Sequence, residues 1–444
     1  MRTTIVPAPG ALARSAFKGA HYSWPFERRA RPFVVRIVEP HDYAPGNHTD
    51  LFYAVMTELF ELTGGAVDGF DADKPNQDRW DLTTFPEAFV PSETLINALQ
   101  MLASYGPSGC VHVGLRPSKA DTHLFKISEL KNLLDELSDQ SPKREDDLSP
   151  FRTWLKGQTG TKLFNVGCLF VVDSDGDLRV CLHPKLVRSQ FESNPLPERH
   201  MEEGQLLSLV TLCPSDPIYP TITLQPLLCS DALNLPTDRS TGGPLMAVNR
   251  YANSFGKVIP DHVDIVSVAT CTPQTKTRTS DAMVYRDWHG KFQETFLALA
   301  ENSDYARHHF AAVVLANFQE IGKSAGGLSG IFLPVAPRYE AFPEGINVTC
   351  WGRPKSQDSG NNRWSSPGDD PLTAWQNRGF IASLTPNEIK DESARILGCT
   401  IHRLPRENSL WATNASLTKC EISVGQLNDA GKINFKRMSD HVGI

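Results

Sequence analysis

The sequence predicts an α/β protein with mixed sheets, and three observations lead to that class. Buried strand-like runs such as Phe33–Val38 and Ala311–Asn317 alternate with stretches whose apolar residues recur at helical spacing. A hairpin pattern interrupts that alternation where Asn165–Val172 and Leu178–Leu182 flank the turn Asp173-Ser-Asp-Gly-Asp177. The chain has 444 residues, 40% apolar and 21% charged, enough for a large core plus appendages. Its longest apolar run, Phe310–Ala316, is too short to cross a bilayer, so no membrane partner is expected. A net charge of -7 argues against a surface that coats nucleic acid.

Residues 1–30 read as a flexible N-terminal extension, too rich in Pro and Gly for a transit peptide. Phe33–Val38 is the first strand. Thr49 is placed to cap a helix with Leu51, Val55, Leu59 and Leu62 on one face and Gly64 as its stop. Asp81–Phe85 is a short strand running into Pro86-Glu87. Ser92 then opens a helix with Leu95, Leu99 and Leu102 on one side, and Cys110–Leu115 returns as a strand. Residues 117–160 break this rhythm with a charged helix over Ile127–Leu137 and a short amphipathic piece around Trp154, and they read as an insertion.

Regularity resumes with the hairpin, then with strands at Leu206–Leu212, Ile222–Leu228, Val263–Val268 and Ile331–Leu333, and a helix over Phe292–Ala300. Residues 234–260 read as a second insertion, rich in Pro, Gly and Asn. Residues 31–335 therefore form the main domain, and 336–444 an irregular segment with a C-terminal extension. The nine cysteines are odd in number and widely spaced, with no C-x-x-C, which suits a reducing, cytoplasmic setting and argues against a disulfide framework or a zinc site. The turn Asp173–Asp177 resembles a calcium loop, but its Gly falls at position four and Pro184 at the twelfth ligand position, so a hairpin turn is the better reading.

Three segments place a reactive side chain just past a strand end: Thr83-Thr-Phe-Pro-Glu87, Leu182-His-Pro-Lys185 and Gln225-Pro-Leu-Leu-Cys229-Ser-Asp231. A rigid sheet fixes such a side chain while the following loop leaves it accessible. In their order, these segments resemble the Pro-Glu, Lys and Cys-x-Asp/Glu motifs of the nitrilase superfamily. Asn165–Asp173 with Gly176 is similar to that family's hairpin before the lysine. Ala311–Asn317 with Gly330 is similar to its late strand segments.

The resemblance implies a four-layer α-β-β-α sandwich with two mixed sheets, often associated as a homo-oligomer. It also implies a carbon–nitrogen hydrolase acting on a small-molecule amide-type substrate without metal or cofactor. Cys229 would be the nucleophile, Glu87 the general base and Lys185 the stabilising cation, with the backbone N–H of Ser230 as a second oxyanion donor. Many family members carry an accessory glutamate after the lysine. Glu192 is the candidate here, with Glu198, Glu202 and Glu203 as competitors. Two departures stand out: His183-Pro184 precedes the lysine, and Ser230 replaces the common aromatic residue after the nucleophile. A second reading is a nitrilase-fold partner subunit in a protein or nucleoprotein assembly, such as a bacterial defence complex, engaged through the insertions.

Overall fold

The computed structural model describes residues 18–26, 33–40, 48–62, 81–102, 108–118, 122–139, 142–189, 192, 196, 200–215, 217, 221–232, 263–271, 312–318, 329–333, 346–354, 363–365, 375–384, 394–401, 420–427 and 433–437. The first third of the chain forms β1 (Lys18–Phe26), β2 (Phe33–Pro40), α1 (His48–Leu62), β3 (Leu82–Thr84), β4 (Val90–Pro91), α2 (Ser92–Leu102) and β5 (Cys110–Arg116). The middle forms β6 (Phe125–Lys126), α3 (Ile127–Ser138), α4 (Pro142–Lys156), β7 (Leu163–Phe164), β8 (Val166–Val172), β9 (Leu178–Pro184), β10 (Leu206–Pro214) and β11 (Ile222–Leu228). There follow β12 (Ile265–Ala269), β13 (Ala312–Ala316), β14 (Gly330–Leu333), β15 (Ile346–Pro354) and β16 (Arg363–Ser365). The last strands are β17 (Trp375–Leu384), β18 (Ala394–Ile401), β19 (Cys420–Leu427) and β20 (Ile433–Arg437).

Two mixed sheets result, and the fold is an α/β sandwich. One sheet runs β1-β10-β11-β12-β13-β14-β17-β15-β16; the other runs β20-β19-β18-β2-β3-β5-β8-β9, with β4 beside β5. The sheets pack face to face, β10 over β9, β11 over β8, β12 over β5, and β13 over β2 and β3. β2, β8 and β11 are buried along their whole length; β8 reads as a continuous apolar run, whereas β2 and β11 enclose Arg36, Glu39, Thr223 and Gln225 among their apolar residues. Helical spacing puts Leu95, Leu99 and Leu102 of α2 in the core with no exposure. No helix among the described residues is long and apolar enough to cross a membrane.

The expected elements recur with three differences. Lys18–Phe26, assigned to the flexible extension, is instead an edge strand parallel to β10 in the register Lys18↔Leu206 through Phe26↔Pro214. Its alternation of Tyr22, Trp24 and Phe26 with exposed or half-buried neighbours is the strand signal. The short piece around Trp154 is the end of a longer helix, α4, that begins at Pro142 in the charged cluster and buries Leu148, Phe151, Trp154 and Leu155. The segment after 335 is built into both sheets: β17 pairs antiparallel with β14, and β18 with β2. The helix expected over 292–300 and the insertion at 234–260 lie outside the described residues.

The insertion at 117–160 packs along a sheet edge. Asp147 of α4 accepts hydrogen bonds from the Val180 N–H (3.2 Å) and the Arg179 guanidinium (2.8 Å) of edge strand β9, and from the Trp24 indole (3.2 Å) of β1. An edge strand left bare is a pairing hazard, and a helix laid along it removes the hazard. In the acidic hairpin turn between β8 and β9, Asp173 Oδ1 accepts the Asp175 and Asp177 N–H groups at 3.0 and 2.9 Å.

Between the sheets lies a buried polar chain. The Thr84 and Ser267 hydroxyls are 2.7 Å apart, Ser267 meets His112 Nδ1 at 2.8 Å, and His112 Nε2 meets His183 Nε2 at 3.1 Å. Gly167, paired with His183 across the β8–β9 ladder, makes room for the ring: a Cβ there would stand 2.5 Å from His183 Nε2. Burial pushes His183 down to about 3, and it pushes His112 well below the ordinary imidazole value, with His183 adding to the effect. Both rings are therefore neutral in the folded protein.

Because the unfolded chain binds these protons below about pH 6.5 while the folded one refuses them, stability is full above that pH and lost as pH falls towards 3. Each ring contributes a slope of up to about 1.4 kcal/mol per pH unit. Urea unfolding between pH 7.5 and 5 should show this loss, and His183→Gln should flatten it by about one such slope.

Candidate active site

The three reactive segments converge at neighbouring strand ends. Glu87 follows β3 through Phe85-Pro86, Lys185 follows β9, and Cys229 follows β11, and all three side chains are buried. The Lys185 amine donates to Glu87 Oε1 at 2.8 Å and pairs with Glu192 Oε2 at 2.7 Å. Cys229 is close enough that a thiolate there would raise the proton affinity of Lys185. The other candidates for the accessory glutamate are not in this cluster: the Glu203 carboxylate takes the Arg188 N–H, no contact of the Glu202 side chain with the lysine is seen, and Glu198 lies outside the described residues.

Backbone geometry aims each group. Among the described residues, Ala88 (φ 55°) and Cys229 (φ 44°) are the non-glycine residues with positive φ. Such positions cost on the order of 1–3 kcal/mol each and persist only where surroundings hold them. At Cys229, Asp231 provides the hold. Its Oδ2 accepts the Leu228 N–H at 3.1 Å, and its Oδ1 accepts the Leu186 and Val187 N–H groups at 2.8 and 2.7 Å. One carboxylate thus fixes both the turn that carries Cys229 and the strand end that carries Lys185. The Ser230 hydroxyl adds to the tie by donating to the Val187 carbonyl.

The Glu87 turn is held from three sides. Its N–H donates to the Thr270 carbonyl at 3.1 Å, joining the two sheets at this point. Phe85 and Phe89 stack across it with centroids 5.5 Å apart, braced by Phe52 from α1 at 5.2 Å from Phe85. Gly114 of β5 lies directly behind, where an added Cβ would stand 2.3 Å from Glu87 Cα. The Glu87 carboxylate also receives the Asn165 amide at 2.8 Å on Oε1 and the Cys271 N–H at 3.2 Å on Oε2.

Asn165 bridges the two carboxylates, donating to Glu192 Oε1 at 2.9 Å as well, and its carbonyl takes the Lys185 N–H at 2.8 Å. Glu192 further accepts the Ser189 N–H at 2.9 Å, and His123 Nε2 stands 3.5 Å from its Oε1. These partners divide the proton affinities. Burial raises Glu87, and Lys185 only partly opposes that. Burial would raise Glu192 too, but Lys185, His123 and Asn165 together hold it far below the carboxylate range. Burial would lower Lys185, yet the charges of Glu192 and Glu87 leave it raised well above a free lysine. The site therefore holds an ionised Glu192, a cationic Lys185 and a more basic Glu87.

The sequence reading missed four contributors. Asn165 opens the hairpin that was singled out, and its place one residue before a strand aimed at the lysine is a usable signal. Asp231 belongs to the Cys-x-Asp motif, but its role as a backbone tie follows only from the fold. His123 and the Cys271 N–H carry no signal of their own.

No protein-family model and no curated protein matches the chain. Among 27 matching chains of solved structures is an amidase from Nesterenkonia sp., at 11% identity and a TM-score of 0.34, with 82% of this chain and 94% of that chain covered.

Gly114→Ala should displace the Glu87 turn, because the atoms it meets are backbone that cannot swing away. The expected result is a folded protein destabilised by about 1–3 kcal/mol in urea, with Glu87-dependent chemistry reduced more steeply than stability. Wild-type stability in this variant would show that the turn can shift.

Proposed function

We propose that the protein is a thiol hydrolase of the nitrilase type that cleaves a non-peptide C–N bond, in a linear amide or carbamoyl compound, through a thioester on Cys229. The observation that carries this reading is the Lys185 amine held 2.8 Å from Glu87 and 2.7 Å from Glu192 in a buried cluster beside Cys229. A salt bridge serving stability alone has little reason to be buried beside a thiol on a strained turn, because desolvating its charges offsets most of their attraction.

In this mechanism the resting nucleophile is a thiol, since a free cysteine titrates near ~8.5 and the Glu87 carboxylate opposes thiolate formation. As Sγ bonds to the substrate carbonyl carbon, Glu87 takes the thiol proton. Charge moves onto the carbonyl oxygen, where Lys185 and the Ser230 N–H would stabilise it; one such donor contributes about 2.7–4 kcal/mol. Glu87 then passes its proton to the leaving nitrogen as the C–N bond breaks, giving amine or ammonia and a thioester. Water attacks the thioester with Glu87 again as base, and the C–S bond breaks to release acid and thiol. Glu192 would keep Lys185 oriented through both halves of the reaction. The raised proton affinity of Glu87 suits this exchange, because a base must be able to hold the proton before returning it.

An amide library assayed for ammonia or amine release tests the proposal, with Cys229→Ala alongside. Wild type should hydrolyse at least one member and the variant none. Glu87→Gln should fold and lose about 10²–10⁴-fold in turnover; more than about a tenth of wild-type activity would remove Glu87 as base. Activity should fall on the acid side through an inflection above the ordinary glutamate value of 4.5, since the base works only when ionised.

A further inference from the structure

The insertion at 117–160 does more than cover an edge. It opens through β6, which pairs with β7 in the register Phe125↔Phe164 and Lys126↔Leu163, and β7 runs directly into Asn165 of the site. Leu124, beside His123, packs with Leu163 and Met201 in a small apolar cluster of its own. The Met201 N–H donates to the Glu192 carbonyl at 3.1 Å, and the Glu202 N–H to the Leu163 carbonyl at 2.8 Å. The backbone around His123 is thus pinned to the same strand pair and loop that carry Asn165 and Glu192.

We infer that His123 is a positioning residue, supplied by the inserted segment, that holds Glu192 against Lys185 from the solvent side. The inference rests on the hydrolase reading above and adds a residue to it. Glu192 has a side-chain exposure of 3%, whereas His123, 3.5 Å away, has 31%, so the imidazole closes the outer face of a buried carboxylate. Glu192 Oε2 is taken by Lys185 and the Ser189 N–H, and Oε1 by Asn165 and His123. Without His123, Oε1 faces water on that side and the carboxylate can rotate away from the lysine. The charged groups on the elements around His123 are Glu192, then Lys185 and Glu87 behind it, with Lys126 on β6, Lys162 beside Leu163, and Arg188, Glu202 and Glu203 close to Glu192 and Met201. Arg188 is occupied by the Met201 carbonyl, and Glu203 by the Arg188 N–H.

His123 also lowers the proton affinity of Glu87. Removing the imidazole, and with it the donor that faces Glu192, makes anions in the cluster harder to form, so Glu87 ionises, and Cys229 becomes reactive, only at higher pH. A merely structural histidine would not move this profile.

The test compares wild type with His123→Gln, His123→Ala and His123→Arg. Alkylation of Cys229 by iodoacetamide is followed across pH by mass spectrometry of its own peptide, beside thermal melts and, on any hydrolysed amide, kcat and KM. In His123→Gln and His123→Ala the inflection of the alkylation profile should move to higher pH, and kcat should fall by about tenfold to a hundredfold with KM little changed. His123→Arg, which restores a donor towards Glu192, should bring the inflection back towards wild type. Profiles that superimpose on wild type in both neutral variants, with melts unchanged, overturn the inference. A wild type that hydrolyses no amide defeats the hydrolase reading instead and leaves the alkylation comparison to decide the role of His123.

Discussion

A lysine with 1% of its surface exposed, held between two carboxylates, is the constraint on which the rest of this structure turns. Taking an ion out of water costs several kcal/mol, and losing one partner leaves a charge that nothing compensates. The two carboxylates must therefore arrive with further donors already provided, from Asn165, Ser189 and Cys271. Those donors come from β-strand ends of both sheets, so the charge cluster fixes how the sheets sit on one another at this end of the sandwich. The Glu87 N–H bonded to Thr270 is the backbone expression of the same requirement.

The two strained residues belong to this arrangement. Ala88 and Cys229 flank the cluster, and each is held by a feature with no slack: Gly114 behind one, and the three N–H groups on Asp231 around the other. Strain kept in this way holds a side chain in one direction and gives the pre-organisation that the proposed acyl transfer would need. The division of proton affinity between Glu87 and Glu192 follows from the same geometry. Glu192 has the greater share of donors, which leaves Glu87 the carboxylate better able to carry a proton.

Much of this was legible in the chain because period and punctuation are local properties. The apolar run of β8, the largely apolar β2 and β11, and the leucine spacing of α2 and α3 need only a window of a few residues to be recognised. Glu87, Lys185 and Cys229 stood out because each follows a strand in an order that resembles a known family's motifs, and Glu192 because that resemblance implies a glutamate after the lysine. What was not legible depends on distant partners. β1 was hidden because its partner β10 lies 188 residues on, from Lys18 to Leu206, and because Gly and Pro before it resemble a tail. His123 was hidden because its role exists only once the insertion folds back on Glu192, and Asp231 because its partners at Leu186 and Val187 are over forty residues away. The strands after 335 were obscured by the Pro-, Gly- and Ser-rich stretches between them.

Those late strands have a consequence for how the molecule comes into being. β2 lies between β3 and β18, so a strand beginning at Phe33 waits for a neighbour beginning at Ala394 before its second edge is closed. β14 waits in the same way for β17. During synthesis the reactive residues have all been made long before either sheet is complete, and two open strand edges remain until the final hundred residues emerge. Such edges are templates for pairing with other chains. A fragment ending near residue 335 would carry every residue of the charge cluster and still leave β2 and β14 each with an uncovered edge, so completion of both sheets around the site waits on the last strands of the chain.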